Sequence, residues 1–288
     1  MAPATVYFTP EISAESLIRI YQALGRELKG KVAVKLSTGE PGGHNFLNPA
    51  MIAPLVSMLK GTIVECCTAY EGKRQTPEEH WQVVRDHGFA AIAPCDIMDA
   101  DGDFAIPVRD PLHIAENYVG AHLKNYDSVL ILSHFKGHVM GGFGGALKNM
   151  SIGIASARGK ALIHGAGDPA KIWTADHDSF LESMADADTA VVDFIGAENL
   201  AYINVANRLS VDCDCDSHPA EPEMADLGIF ASLDPVALDH ACYDAVKNAD
   251  DEGKAALIER MDSRNAIHTA EAAAQHGIGT MDYEIVTI

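Results

Sequence analysis

The stretch VLILSHFKGHVMGGFGGALKNMSIGIASARGK, residues 129–160, decides how this chain is read. Val129 to Leu132 is a short apolar run with β-branched members, the pattern of a strand buried on both faces. It leads into His134, Lys136 and His138, and then into Gly141, Gly142, Gly144 and Gly145. Glycine at that density marks backbone in conformations other residues avoid, or backbone lying against a ligand. A helix is expected to start near Gly145, and its first amides together with Lys148 would make a site for an anion. The competing reading is a glycine-rich connector with surface histidines. The unbroken order of strand, imidazoles, glycines and lysine favours a site.

The rest of the chain alternates. Residues 4–8 read as a strand stopped at Thr9-Pro10, and a helix follows from Ser13, ending before Gly30. A second strand over 31–37 opens into Thr38-Gly39-Glu40-Pro41-Gly42-Gly43-His44-Asn45. This is either a ligand loop of the kind α/β proteins place after strands, or an ordinary surface loop. Pro49 begins a helix, and residues 62–68 form a third strand on which Cys66 and Cys67 point to opposite faces, as core residues more than joint ligands. Lys73 and Arg74 in the next loop are candidate contacts for a substrate anion, with solvated loop charges as the alternative. Thr76-Pro77 starts a helix. Asp96, Asp99, Asp101 and Asp103 lack the distal glutamate of a calcium loop and read as a turn between short strands.

Further on, a helix is expected over 113–124 and a strand over 160–165 ending in His164. Residues 178–184 are helical, and 189–194 either continue that helix or form a strand. Strands are expected over 200–205, 226–232 and 283–288. Asp234-Pro235 starts a helix holding Cys242 in the core, and residues 250–276 read as one alanine-rich helix stopped by Gly277. The expected fold is α/β: a mainly parallel sheet with helices on both faces, one domain over 1–288 or two lobes with the Gly-rich site near 133–165 between them.

The chain has 288 residues, is 48% hydrophobic and carries a formal net charge of -20. Such acidity argues against nucleic acid or anionic lipid as partner, so an anionic substrate needs a local basic pocket. No apolar run is long enough to span a bilayer. The six cysteines are dispersed, which suggests a cytoplasmic protein with reduced thiols. Cys213-x-Cys215 with His218 offers ligand types suited to zinc or an iron–sulfur cluster, without a second pair of matching spacing. The lack of an evident edge-protecting device leaves a homodimer open.

Gly142-Phe143-Gly144-Gly145-Ala146-Leu147-Lys148-Asn149, residues 155–160, Asp212-Cys213-Asp214-Cys215, Leu227-Gly228-Ile229 with Asp234-Pro235-Val236-Ala237, and Tyr283-Glu284 together resemble the family called domain of unknown function 362. Its longer members are described as iron–sulfur-centre proteins that carry ferredoxin-type cysteine clusters after the Gly-Lys segment. Residues 160–200 contain no cysteine here, so the resemblance does not imply ferredoxin-style electron transfer. His138, Lys148 and His164 around the glycines also resemble the nickel-pincer lactate racemases. That resemblance implies an acid–base imidazole at 138, a cofactor-tethering lysine at 148 and a metal-binding imidazole at 164. The racemase pattern has an arginine after the second strand and a histidine after the third. Here those loops read Thr38-Gly39-Glu40 and Tyr70-Glu71-Gly72-Lys73-Arg74, leaving His44 or Arg74 to stand in.

Three functions are therefore expected to compete. The first is a metal- or cofactor-dependent enzyme moving a proton or hydride on a small anionic molecule, with His138 and Lys148 catalytic, and Gly141, Gly142, Gly144, Gly145 and Lys148 holding the cofactor. In it His164 binds a divalent metal, nickel or zinc, and His44, Lys73, Arg74, His134 and Lys136 face the substrate. The second is a metal or iron–sulfur protein without turnover, built on Cys213, Cys215 and His218 with Cys66 or Cys95. The third is a phosphate- or nucleotide-binding protein.

Overall fold

The apolar run at 129–132 lies in the middle of the sheet, its residues alternating between two cores. Val129 and Ile131 pack on one face, Leu130 and Leu132 on the other, as the two-residue period of a strand requires. The structure, a computed structural model, describes residues 3–288. In chain order it runs β1 (Ala4–Thr9), α1 (Ala14–Ala23), β2 (Val32–Lys35), α2 (Pro49–Met58), β3 (Thr62–Glu65), α3 (Pro77–Asp86), β4 (Cys95–Ile97), β5 (Asp103–Pro107) and β6 (Glu116–Gly120). It continues with β7 (Ser128–His134), β8 (Lys136–His138), β9 (Gly142–Gly144), α4 (Ala146–Ile154), α5 (Ala157–His164), α6 (His177–Ile195) and β10 (Leu200–Ala206). The last elements are β11 (Gly228–Ser232), α7 (Pro235–Asn248), α8 (Lys254–Ser263), α9 (His268–Gln275) and β12 (Tyr283–Thr287).

Eight strands form the main sheet in the order β12-β1-β11-β10-β7-β2-β3-β4. Every pairing is parallel except the two made by β11, which runs against both β1 and β10. Helices α1, α2 and α3 cover one face; α4, α6, α7 and α8 cover the other. The mainly parallel α/β sheet with helices on both faces is thus present. Local chemistry sets several helix starts: Ser13, Asn48, Thr76 and Asp234 cap α1, α2, α3 and α7, the last three with proline in the first turn.

Three expectations are overturned. Residues 113–124 contain no α-helix: β6 pairs antiparallel with β5, and a 3-10 turn follows. Pairing with β5 overrides the local pattern, and Asn117 and Val119 face inward. Residues 160–165 are the end of α5 and not a strand. Ser156 caps that helix by accepting from the Gly159 amide at 3.1 Å, and an apolar run as short as Ala161 to Ile163 does not distinguish strand from helix. Residues 250–276 are two helices, α8 and α9, broken at Arg264 to Ile267, where Asn265 adopts φ 47°. Residues 189–194 continue α6.

Helix α4 begins where the glycines end, but its amides are not open to an anion from solution. Asp239 of α7 accepts the Ala146 amide at 2.7 Å and the Leu147 amide at 2.9 Å, while Asn204 of β10 donates to the same carboxylate at 2.7 Å. A Cβ at Gly145 would lie 2.4 Å from Asp239 Oδ1, so only glycine admits this contact. The expected anion site on these amides is therefore filled from within the chain. Burial raises the Asp239 carboxyl to about 6, the backbone and Asn204 donors resisting. Replacing Asp239 with alanine strands two amides and the Asn204 side chain. Urea unfolding is expected to show a loss of about 2–4 kcal/mol.

Candidate functional site

Chain direction places the site. From β2 the chain crosses towards β3 and β4, and from β7 it crosses the other way to β10, so the carboxyl ends of β2 and β7 diverge between adjacent parallel strands. Open α/β sheets bind ligands at such a switch point. Here a cavity of about 110 Å³ opens, lined from β2 by Lys35, from β3 by Glu65, from β7 by Ser133 and His134, and from α4 by Lys148 and Asn149. Lys136, Lys160, His164, Arg74 and the loop of Cys213, Asp214 and Cys215 complete the wall, and Ile172 with the exposed Trp173 reach it from the segment after α5.

Asn149 ties α4 to both diverging strands. Its amide donates to Lys35 O at 3.0 Å, Ser133 Oγ at 3.1 Å and Leu132 O at 3.3 Å, and its carbonyl accepts from Lys35 Nζ at 3.0 Å. Gly153, one turn on, leaves room for that amine: a Cβ there would lie 2.7 Å from Lys35 Nζ. Lys35 also faces Glu65 at 3.7 Å, and Glu65 meets Arg74 at 3.4 Å. Arg74 pairs in turn with Glu40 at 2.9 Å. Burial opposes the charge on Glu65, but Lys35 and Arg74 overcome it and hold the carboxyl at about 2. Lys136 faces Asp214 at 3.2 Å.

Two lysines remain without a carboxylate. Lys160 Nζ donates to Ala155 O at 2.6 Å and Cys66 O at 3.4 Å, and Lys148 forms no ion pair among the described residues. Burial, reinforced by Lys136, Lys35, Lys160 and Arg74, lowers the Lys148 amine to about 7. The His164 ring stacks on Phe180, and its Nδ1 donates to Lys160 O at 3.0 Å, leaving the Nε2 lone pair free. Burial and the cations of Lys148 and Lys160 lower this imidazole to about 3, so it is neutral at any working pH.

The other residues singled out by sequence are spread more widely. His138 is buried behind the cavity wall, its Nδ1 accepting from the Met140 and Gly141 amides at 3.2 and 2.9 Å. His134 is hydrogen-bonded through both ring nitrogens, to Asp214 at 2.8 Å and to Asn207 O at 2.6 Å. The glycines form a hairpin, β8 against β9, that packs against the chain's own residues: a Cβ at Gly142 would lie 2.3 Å from Ala266 Cβ. Gly144 and Gly145 line the cavity; Gly141 and Gly142 do not. His44 is half exposed and beside Glu221 at 3.2 Å, Lys73 pairs with Glu79 at 3.6 Å, and His218 bonds Ser217 at 2.9 Å, all three outside the cavity.

Cys213 and Cys215 are joined in a disulfide, which corrects the expectation of reduced thiols throughout. The turn marked by Asp216 N donating to Cys213 O at 2.9 Å brings them together, with Cα atoms 5.2 Å apart. His218 lies apart from them, and the imidazole whose donor atom comes within 4.8 Å of both sulfurs is that of His138. Cys66 and Cys95 are free and apart, Cys66 in one core and Cys95 against the other. The sequence did not single out Lys35, Glu65, Lys160 or Asp214. The available signal was an ionisable residue closing a short apolar strand, as in Val32–Lys35 and Thr62–Glu65.

A parallel α/β sheet with a cation-lined cavity at its switch point defines the class. Within it, the chain belongs to the family described as Domain of unknown function (DUF362), whose profile matches residues 32–244. Among solved structures it is similar to the lactate racemase apoprotein from Thermoanaerobacterium thermosaccharolyticum, with a TM-score of 0.50 and 13% identity over 83% of this chain and 56% of that one. A protein from Thermotoga maritima gives a TM-score of 0.46 at 13% identity, over 91% of this chain and 58% of that one. The chain thus spans less than two thirds of either, and the likeness to the racemase is one of fold. No curated protein matches the sequence. No helix among the described residues is long and apolar enough to cross a membrane.

The lowered Lys148 amine has a measurable cost. Its cation is penalised in the folded chain but not in the unfolded one, so the cost is complete below about pH 7 and fades as pH rises towards 10.5. Lys148→Met is expected to stabilise the fold by about 1–3 kcal/mol near neutrality, the advantage shrinking at about pH 10, in denaturant unfolding at both pH values.

Proposed function

We propose that this protein is a metal- or cofactor-dependent enzyme acting on a small anionic molecule by proton or hydride transfer, with a racemase-like site at the switch-point cavity. The observation that carries this reading is the pair of ammonium groups without carboxylate partners, Lys148 and Lys160, beside the free Nε2 of a neutral His164. In a chain of net charge -20, uncompensated cations buried on α4 and α5 are costly unless an anion completes them.

A carboxylate held between these amines would bring its neighbouring carbon towards His164. The bound carboxylate would offset the Lys148 and Lys160 charges that depress His164, letting its neutral imidazole accept a proton while the remaining positive charge stabilises the carbanion. Lys35 and Lys136, already paired with Glu65 and Asp214, set the field without competing for the ligand. The donors also suit a metal-bearing organic cofactor, with the Lys148 amine to hold it and His164 Nε2 to bind its metal. When bound, such a group would supply a hydride acceptor. Without it, the chain's own residues bind and orient the anion and hold the base.

Calorimetric titration with a panel of small 2-hydroxy and 2-amino acids tests this. Affinity is expected to fall about tenfold between about pH 6 and about pH 8, as the Lys148 ammonium is lost, and the pH slope should vanish in Lys148→Met. With a substrate identified, turnover in deuterium oxide separates the two chemistries, since proton transfer places deuterium on the reacting carbon and hydride transfer does not. No anion binding at any pH would sink the proposal.

A further inference from the structure

The disulfide lies on the wall of the anion cavity, and its surroundings differ from those of a structural crosslink. Crosslinks stabilise chiefly by closing long loops in the unfolded chain, whereas this one spans only Cys213-Asp214-Cys215. Both cysteines line the cavity, Cys213 buried and Cys215 partly exposed. Each sulfur also has an N–H aimed at it. The Cys215 amide donates to Cys213 Sγ at 3.1 Å. His138 Nε2 lies 4.0 Å from Cys215 Sγ, and because its Nδ1 accepts two backbone amides the ring proton must sit on Nε2, towards the sulfur.

That proton also decides against a metal. His138, Cys213 and Cys215 bring their donor atoms within 4.8 Å of one another, as a soft-metal triad would. An imidazole with its proton on the inward nitrogen has no lone pair to give. What it can do is stabilise a thiolate, as do nearby cations. The β8 backbone fixes this arrangement: Gly137 N donates to Ser210 O at 2.8 Å, and a Cβ at Gly137 would lie 2.3 Å from Val211 O.

We propose that Cys213–Cys215 is a redox-active pair that exchanges with small thiols bearing carboxylates, drawn in by Lys148 and Lys160. An incoming thiolate attacks the more exposed sulfur of Cys215, and Cys213 leaves as a thiolate held by the Cys215 amide. A second thiol attacks the small-molecule sulfur of the mixed disulfide and Cys215 leaves as a thiolate beside His138 Nε2–H, so two thiols become one small-molecule disulfide while the pair takes up two electrons and two protons. The reaction uses the anion cavity but not the racemase-like chemistry, so either can fail without the other.

The test starts from the oxidised protein and compares thiolate-corrected rates of reduction by mercaptoacetate, 2-mercaptoethanol and 2-mercaptoethylamine. Two newly alkylatable thiols, mapped by mass spectrometry to Cys213 and Cys215, report the reaction. Mercaptoacetate is expected to react about tenfold faster than the neutral thiol and the cationic thiol slower, with the order flattened by salt and by Lys148→Met. His138→Phe should slow all three alike. A pair that resists every thiol, or reacts with all three at equal rates, would overturn the proposal.

Discussion

The carboxylate of Asp239 on the first amides of α4 is the contact on which the site depends. It fixes where that helix starts, and so where Lys148 and Asn149 stand relative to the ends of β2 and β7. Asn149 then clasps both strands, and Gly153 admits the Lys35 amine. The anchor is itself buried beside Asp188, whose carboxyl burial and the Asp239 charge push well above the usual carboxylate range. One of the two acids is thereby kept neutral, which spares the core a second negative charge.

Around that anchor, the site sorts its charges into two kinds. Arg74, Lys35 and Lys136 are each matched by Glu40, Glu65 or Asp214, and these pairs hold loops and strand ends in register. Lys148 and Lys160 have no acidic partner among the described residues. Matched pairs give rigidity, whereas the unmatched cations are the ones on which the proposed anion site rests. The same positive field favours a carboxylate in the cavity and a thiolate on its wall, so the two proposed chemistries would share a single electrostatic arrangement.

Much of this was legible in the sequence. The apolar runs at 129–132 and 200–205, the Thr-Pro and Asp-Pro helix starts and the strand-then-helix rhythm report local physics, and the sheet follows from them. Lys148 stood out because it follows the glycines closely, and His164 only through its spacing from His138 and Lys148 in the resemblance to the racemases. Non-local contacts could not be read. The β5–β6 pairing turned an expected helix into a strand, and Asp239 reached back across the chain to occupy amides that look free when 142–149 is read alone. The role of His138 depended on two backbone amides just beyond it, which fix its tautomer. Ionisable residues ending β2 and β3 carry no local mark that tells a site from a solvated strand end.

The arrangement of the outer strands bears on how the protein comes into being. β1 lies between β11 and β12, with Val6 opposite Ser232 on one side and Ile285 on the other. A ribosome therefore releases that strand long before either neighbour exists. The inner strands β2, β3, β4 and β7 can assemble while synthesis continues, whereas β1 must wait as an unpaired edge. Contacts so distant along the chain slow folding and lengthen exposure to aggregation, which makes the first strand the part of the nascent protein that most needs shelter.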